Sequence, residues 1–335
     1  MNNIVAACLC LTACISAFFG AGAGAADSVT AWLPYWETEA ATAEAAELSD
    51  DLDTAIAFAA IFDSADRPLM LPDTTALLEE LKEQYRDTDT RVLLSVVNDV
   101  ELSEGKYDNK SAQLLRRLFK DEESRSRHIE SLFRLVDEYE LSGLEIDYEA
   151  IKNDKALWKG FAAFITELYR QFSAQGLTLR VVLSWDAPKY IELPEGPEYS
   201  VMCYNLYGSH SGPGPKADIA FLKKTCKLYG EYADSTHMAF ATGGYDWSVS
   251  GTTAMTQQEA QKRLQDCGVK PTRDLASGAL YAVYTYEDVT HTLWYADAAT
   301  LATWRAAVAK CGFDSIDLFR LGGNDLEDWK EKLLN

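Results

Sequence analysis

The sequence has few of the residues that bind transition metals. Its seven cysteines include no C-x-x-C pair, and its four histidines are scattered along the chain: His128, His210, His237 and His291. Protein zinc sites are typically built from closely spaced Cys and His ligands. We therefore expect neither a metal site nor a cofactor.

Basic residues are also in short supply. The chain has 31 Lys and Arg against 52 Asp and Glu, which gives a net charge of −21 and a pI near 4.6. Nucleic acids and anionic membrane surfaces attract proteins through clustered positive charge. The composition therefore argues against both as partners, and we expect a monomer.

Charge of either sign is absent from residues 1–26. The segment is mostly apolar, and small residues at 21–26 offer A-x-A cleavage sites, so it is interpreted as a secretory signal peptide. This predicts a mature domain at 27–335 that is exported to the periplasm or the outside. The Lys or Arg that usually precedes the apolar run is missing. A lipoprotein-type box ending at Cys14 is the alternative, and lipidation there would anchor the protein to a membrane.

Four cysteines remain in the mature chain and permit three disulfide pairings: Cys203, Cys226, Cys267 and Cys311. Cys203 lies between Met202 and Tyr204 on a predicted strand, so its side chain faces opposite to theirs. We expect it to point away from the barrel interior toward the helices. Its most reachable partner is Cys226, and a buried free thiol is the alternative.

Linkers, low-complexity tracts and internal repeats are absent, which favours one domain. Eight apolar runs alternate with helical stretches, a pattern typical of α/β proteins with parallel strands, and here of one TIM (β/α)8 barrel. A small β-hairpin, residues 280–286 and 292–295, is predicted between strands seven and eight. The predicted barrel strands are 29–36, 54–62, 91–97, 141–151, 177–184, 199–204, 238–243 and 316–321.

The fourth of these strands is the most informative stretch. Side chains alternate along a strand, so Glu145, Asp147 and Glu149 share one face, and apolar residues share the other. Neighbouring carboxylates at this spacing lie roughly 6–7 Å apart. In a closed site they repel each other, and at least one keeps its proton near neutral pH. Such a pair is suited to general acid catalysis, whereas a solvated acidic face is the alternative interpretation.

Active sites of barrel enzymes lie at the carboxyl ends of the strands. Aromatic and polar residues dominate those positions here, and they suit the apolar faces and the hydroxyls of sugars. The alternative is that the aromatic residues simply fill the barrel mouth. The residues predicted to bind substrate at these ends are Trp36, Asn98, Trp185, Tyr204, Asn205, Tyr245, Trp247 and Arg320.

The stretch from Gly143 to Glu149 resembles the D-G-x-D-x-D-x-E signature of glycoside hydrolase family 18, the chitinase-like enzymes. The resemblance makes Glu149 the terminal acid and Asp147 its assisting carboxylate. Two residues depart from the pattern, because Ser142 replaces Asp or Asn and Glu145 replaces Asp.

Other stretches extend the resemblance over most of the mature chain. Residues 202–205 resemble the family's M-x-Y-D, with Tyr204 as the donor to the substrate's acetamido group and Asn205 in place of Asp. Residues 319–325 resemble W-x-L-G-x-x-D, where Phe319 replaces the Trp that lies under the sugar beside the cleaved bond. Residues 244–247 and 293–297 are similar to stretches of the branch associated with spore-cortex peptidoglycan.

The resemblance implies retaining hydrolysis of a glycan with β-linked N-acetylglucosamine, assisted by the substrate's own acetamido group. Glu149 would protonate the leaving oxygen, Asp147 would orient the acetamido group, and Glu145 would hold Asp147 through a shared proton. The substrate stays open between chitin, peptidoglycan and the core of an N-glycan, as does internal against terminal cleavage. A lectin-like glycan-binding protein with a degraded site is the alternative class, and an unrelated carboxylate-pair enzyme is a weaker third.

Overall fold

The computed structural model describes residues 28–334. The predicted signal peptide and Cys14 lie outside this range. The β-strands, in chain order, are β1 (Val29–Pro34), β2 (Thr54–Asp63), β3 (Pro68–Leu69), β4 (Arg91–Ser103), β5 (Lys106–Asp108), β6 (Gly143–Asp147), β7 (Thr178–Ser184), β8 (Glu198–Met202), β9 (Thr236–Ala241), β10 (Gly243–Ser248), β11 (Gly251–Met255), β12 (Thr272–Arg273), β13 (Leu280–Tyr286), β14 (Val289–Ala296) and β15 (Ile316–Phe319).

Helices alternate with the barrel strands, as predicted. An aspartate side chain caps the N-terminus of several of them by accepting a backbone hydrogen bond, as at Asp121, Asp154 and Asp218. The α-helices are α1 (Thr38–Glu47), α2 (Pro72–Gln84), α3 (Ala112–Leu118), α4 (Glu122–Glu138), α5 (Lys155–Ser173), α6 (Ile219–Tyr229), α7 (Gln257–Asp266), α8 (Ala298–Ala309) and α9 (Leu326–Lys332).

Eight strands form a closed parallel barrel, in the order β1, β2, β4, β6, β7, β8, β9 and β15. The ring closes where β15 pairs with β1, with Ile316 opposite Val29. These strands are buried on both faces, which explains why they read as apolar runs in the sequence. The predicted TIM barrel is confirmed.

A second sheet follows the seventh barrel strand and contains the predicted hairpin. Its antiparallel order is β11-β10-β14-β13-β12, and α7 packs on it around a small apolar cluster that includes Ala260, Leu264 and Leu293. The hairpin, β13 and β14, is confirmed, whereas β10, β11 and β12 were not predicted. At Gly244 a Cβ would lie 1.8 Å from the carbonyl oxygen of Trp294, so only glycine allows the two strands to approach this closely.

The four cysteines of residues 28–334 are free thiols. Cys203 packs in the apolar layer between strands and helices, while Met202 belongs to the barrel interior. Its predicted direction is therefore confirmed, and its sulfur lies 3.5 Å from that of Met238. Within the same residues, no helix combines the length and the apolar character needed to cross a bilayer.

Candidate active site

The acidic strand ends earlier than predicted. β6 stops at Asp147, so Glu149 lies in the loop beyond it and does not share a strand face with Glu145. At Ala150 φ is 61°, in the left-handed region, so the chain turns directly after Glu149. Backbone strain of this kind persists where surrounding contacts enforce it, as at many active sites.

Asn98 fixes the backbone of Glu149 from the neighbouring strand β4. The Glu149 amide donates to Asn98 Oδ1 at 2.8 Å, and Asn98 Nδ2 donates to the Glu149 carbonyl oxygen at 3.1 Å. Asn98 is buried, at 1% exposure. Its predicted role as a substrate ligand is therefore replaced by a positioning role, because both polar ends of its amide are engaged by Glu149.

A cleft lined by Asp147 and Glu149 opens at the carboxyl ends of the strands. It has a volume of about 340 Å³. The predicted site residues that line it are Trp36, Asp147, Glu149, Tyr204, Asn205, Tyr245 and Phe319. Residues brought together in this cleft come from strand ends spread over nearly the whole chain, as the barrel topology requires.

Aromatic rings form one wall of the cleft. Phe319 stacks on Tyr204 with ring centroids 5.9 Å apart and planes inclined by 16°, and it meets Phe58 edge-on at 5.8 Å. Trp36 meets Phe58 edge-on in turn and is 50% exposed. The wall therefore presents ring surface to a ligand, which suits the apolar face of a sugar.

Asp147 is the most perturbed acid in the cleft. Burial raises its pKa well above the ordinary value, and the charges of Glu149 and Glu145 raise it further. Its Oδ1 is buried and has no hydrogen-bond partner among residues 28–334. Burial, and then the charge of Asp147, raises the pKa of the Tyr204 phenol, which therefore stays a hydrogen-bond donor. Perturbed groups in a cleft mark a functional site.

Glu145 lies below the cleft and does not line it. Trp32 Nε1 donates to one of its oxygens at 2.6 Å, and Arg180 Nε donates to the other at 3.3 Å. No hydrogen bond joins Glu145 to Asp147, so the expected shared proton is not seen. Glu145 influences Asp147 through its charge instead.

Three further predicted ligands lie outside the cleft. Trp185 packs edge-on against Phe221, with ring centroids 5.6 Å apart. Trp247 is buried beside Tyr245 and donates to the Ser211 carbonyl oxygen at 3.2 Å. Arg320 contacts Glu37 at 3.4 Å and donates to two nearby carbonyl oxygens.

Two lysines of the cleft were not predicted. Lys110 Nζ lies 2.5 Å from Glu149 Oε1, and Lys216 Nζ lies 4.6 Å from the centroid of the Tyr245 ring. Lys110 follows the β4–β5 hairpin, and Lys216 lies in a Gly- and Pro-rich loop after β8. Neither lysine lies at the carboxyl end of a barrel strand, so the rule that places active-site residues at these ends could not predict them. A lysine beside a Gly-Pro-rich loop is too common a pattern to have identified Lys216.

A second cavity, of about 400 Å³, adjoins the cleft at Glu149 and Met202. Its wall includes Trp158 and Tyr190, whose rings stack at 5.8 Å with planes inclined by only 5°. Glu149 therefore borders both cavities.

Within residues 28–334, no three His, Cys, Asp or Glu side chains are grouped so as to hold a metal ion. The carboxylates of the cleft instead face an ammonium, a phenol and aromatic rings. This arrangement can deliver a proton to a bound oxygen and stabilise a nearby positive charge.

Comparisons with known proteins agree with this geometry. The model of glycosyl hydrolases family 18 matches residues 31–323, and curated proteins contain no match. A chitinase from Chromobacterium violaceum has a similar structure, with 18% identity and a TM-score of 0.75 over 92% of this chain and 100% of that chain. The spore cortex-lytic enzyme SleL from Bacillus cereus is also similar, with 15% identity and a TM-score of 0.75 over 92% of this chain and 74% of that chain.

A class V chitinase mutant from Nicotiana tobaccum, solved in complex with NAG4, is similar as well. Its identity is 12% and its TM-score 0.73, over 91% of this chain and 98% of that chain. At sequence identities this low, the structural similarity shows a shared fold and nothing more.

Proposed function

Because the chain belongs to glycosyl hydrolases family 18, we propose that it cleaves glycans at β-linked N-acetylglucosamine by a retaining, substrate-assisted mechanism. The observation that carries the proposal is the buried Asp147, which lies between Glu145 and Glu149 and beside Tyr204 in an aromatic cleft. The NAG4 complex of the similar class V chitinase supports an amino-sugar ligand.

In the first step, the acetamido oxygen of the substrate attacks the anomeric carbon while the bond to the leaving oxygen breaks. Glu149 gives its proton to that oxygen, so the leaving sugar departs as an alcohol. Asp147 stabilises the positive charge on the cyclic intermediate, and the Tyr204 hydroxyl donates to the acetamido group. No protein nucleophile is needed, in keeping with the exception this family makes to the two-carboxylate scheme.

In the second step, Glu149 takes a proton from water as the water oxygen attacks the anomeric carbon. The acetamido group is restored and the anomeric configuration is retained. Incubation with chitin oligomers, peptidoglycan and N-glycans, with NMR detection of the first anomer formed, tests the proposal. Release of β-anomer supports it, whereas binding of a glycan without any release of reducing ends indicates a lectin-like protein.

The two cavities that border Glu149 support cleavage within a glycan chain. The apolar leader, residues 1–26, supports export of the enzyme to where glycan polymers occur. Product lengths and cell fractionation test these two points.

Replacing Asp147 by Asn should lower kcat by ~10²-fold, because the neutral amide cannot balance the charge of the intermediate. The loss should be larger on acetamido substrates than on sugars without that group. Kinetics on a matched pair of aryl glycosides measure the difference, with Asp108→Asn, an exposed carboxylate on β5, as the control. Equal losses on both substrates would contradict substrate assistance.

Lys110→Met should move the acidic limb of the pH–rate profile to higher pH. Asp147 acts as the ionised carboxylate, so activity is lost as pH falls through its pKa. Burial and the charges of Glu149 and Glu145 raise the pKa of Asp147, whereas the charge of Lys110 lowers it. Removing Lys110 therefore raises this pKa further. Profiles of kcat/KM decide the point, with Lys106→Met on the same hairpin as the control. An unmoved limb, or a move to lower pH, would refute the assignment.

A further inference from the structure

Lys216 is a charged residue of the cleft to which the proposed mechanism assigns no role. It lines the cavity together with Asp147, Glu149 and Tyr204. Its ammonium lies over the Tyr245 ring, and within the described residues it forms no ion pair. Lys110, by contrast, is paired with Glu149.

An unpaired cation is costly at this position. Its side chain is half-buried, and removing an unpaired charge from water is unfavourable. The contact of the ammonium with the Tyr245 ring offsets only part of this penalty. Arg320 adds like-charge repulsion. Folding alone therefore does not account for a lysine here, in a chain with an excess of acidic residues.

The ammonium is nevertheless present under ordinary conditions. Burial, and then the charge of Arg320, lowers the pKa of Lys216 to about 8, so most molecules carry the charge at neutral pH. Arg320 is itself satisfied by Glu37 and by carbonyl oxygens. Lys216 is thus a cation that faces the substrate cavity with its charge uncompensated.

We infer that Lys216 selects glycans in which a sugar next to the cleaved N-acetylglucosamine carries a carboxylate. This inference rests on the proposed function. A chain of N-acetylglucosamine alone offers only hydroxyls and acetamido groups, which leave the ammonium uncompensated. A sugar carboxylate would supply the missing charge and form a charge-assisted hydrogen bond. The carboxylate can belong to the lactyl ether of N-acetylmuramic acid or to a uronic acid.

Four substrates separate these sources. One is a peptidoglycan glycan strand freed of its peptides, which exposes the lactyl carboxylates. The second is the same strand with these groups converted to primary amides. The third is a polymer alternating N-acetylglucosamine with a uronic acid, and the fourth is a chitin oligomer. The amide strand is the matched neutral control for the first.

Lys216→Met should lower kcat/KM on the preferred carboxylate substrate by ~10–100-fold, the range for a hydrogen bond to a charged group. The loss on that substrate should exceed the loss on its neutral counterpart by at least ~10-fold. Lys216→Arg keeps the charge and should recover most of the rate. Lys227→Met removes an exposed lysine of α6 and controls for the change in net charge.

Dissociation constants measured on the Glu149→Gln protein, with and without Lys216→Met, keep this test separate from the test of hydrolysis. If wild type cuts no glycan, the proposed function fails. The dissociation constants still decide whether Lys216 binds a sugar carboxylate. Equal losses on charged and neutral strands, in rate and in affinity, would overturn the inference. So would a wild-type preference for the neutral strand.

Discussion

Glu149→Gln should reduce turnover by ~10²–10⁴-fold, the usual effect of losing general acid–base help. The amide has nearly the shape of the carboxyl group, but its N–H protons are not acidic enough to be transferred to the leaving oxygen. Backbone contacts with Asn98 hold this position whatever the side chain. The fold and the affinity for glycans should therefore survive, and reducing-end release under saturating substrate measures the loss.

Glu104→Gln provides the matched control for this variant, because Glu104 is an exposed glutamate in the neighbouring β4–β5 turn. It should retain wild-type turnover. Loss of the partly exposed pair between Lys110 and Glu149 should change the stability little, since such pairs contribute weakly. If Glu149→Gln still turns over at the wild-type rate, Glu149 is not the acid and the mechanism is wrong.

The barrel could be predicted because its information is local. A strand buried on both faces appears in the sequence as an apolar run, and β2 shows this from residue 55 to residue 62. Their positions near predicted strand ends then identified Trp36, Tyr204 and Tyr245 as site residues, and all three line the cleft. Strand ends are uncertain by a few residues in any such prediction, which is why Glu149 was placed on the strand and lies beyond it.

The contacts of Glu145 show what local patterns do not contain. Its partners Trp32 and Arg180 lie 113 and 35 residues away in the sequence. Arg180 lies opposite Glu145 on the neighbouring strand β7, whereas Trp32 belongs to β1. Which of these contacts forms depends on the length and direction of three side chains at once. The family resemblance assigned Glu145 to Asp147, but the longer glutamate is instead engaged by a tryptophan and an arginine beneath the site.

Arg180→Met should destabilise the protein by about 3–5 kcal/mol, the usual cost of breaking a buried ion pair by removing one partner. Arg180 is fully buried and donates to Asp317 at 2.7 Å and to Glu145 at 3.3 Å, besides reaching Glu198. Its removal would leave Glu145 without a counter-charge in the barrel interior and Asp317 with only His237 beside it, at 2.9 Å. Because the free energy of unfolding of a typical domain is about 5–15 kcal/mol, much of the stability would be lost. Urea unfolding of the wild type and the variant measures this loss.

The pH dependence distinguishes this explanation from a simple packing defect. Burial opposes ionisation of Asp317, yet Arg180 and His237 lower its pKa to about 2, against ~3.9 in an unfolded chain. Asp317 therefore contributes stability above ~4, and that contribution is lost as pH falls toward 2. The difference between wild type and Arg180→Met should shrink over this window. Arg170→Met, which removes an arginine that pairs with Glu167 on the surface, should leave unfolding nearly unchanged. A destabilisation that stays constant down to the acid limit would instead assign the loss to packing, because a cavity does not titrate.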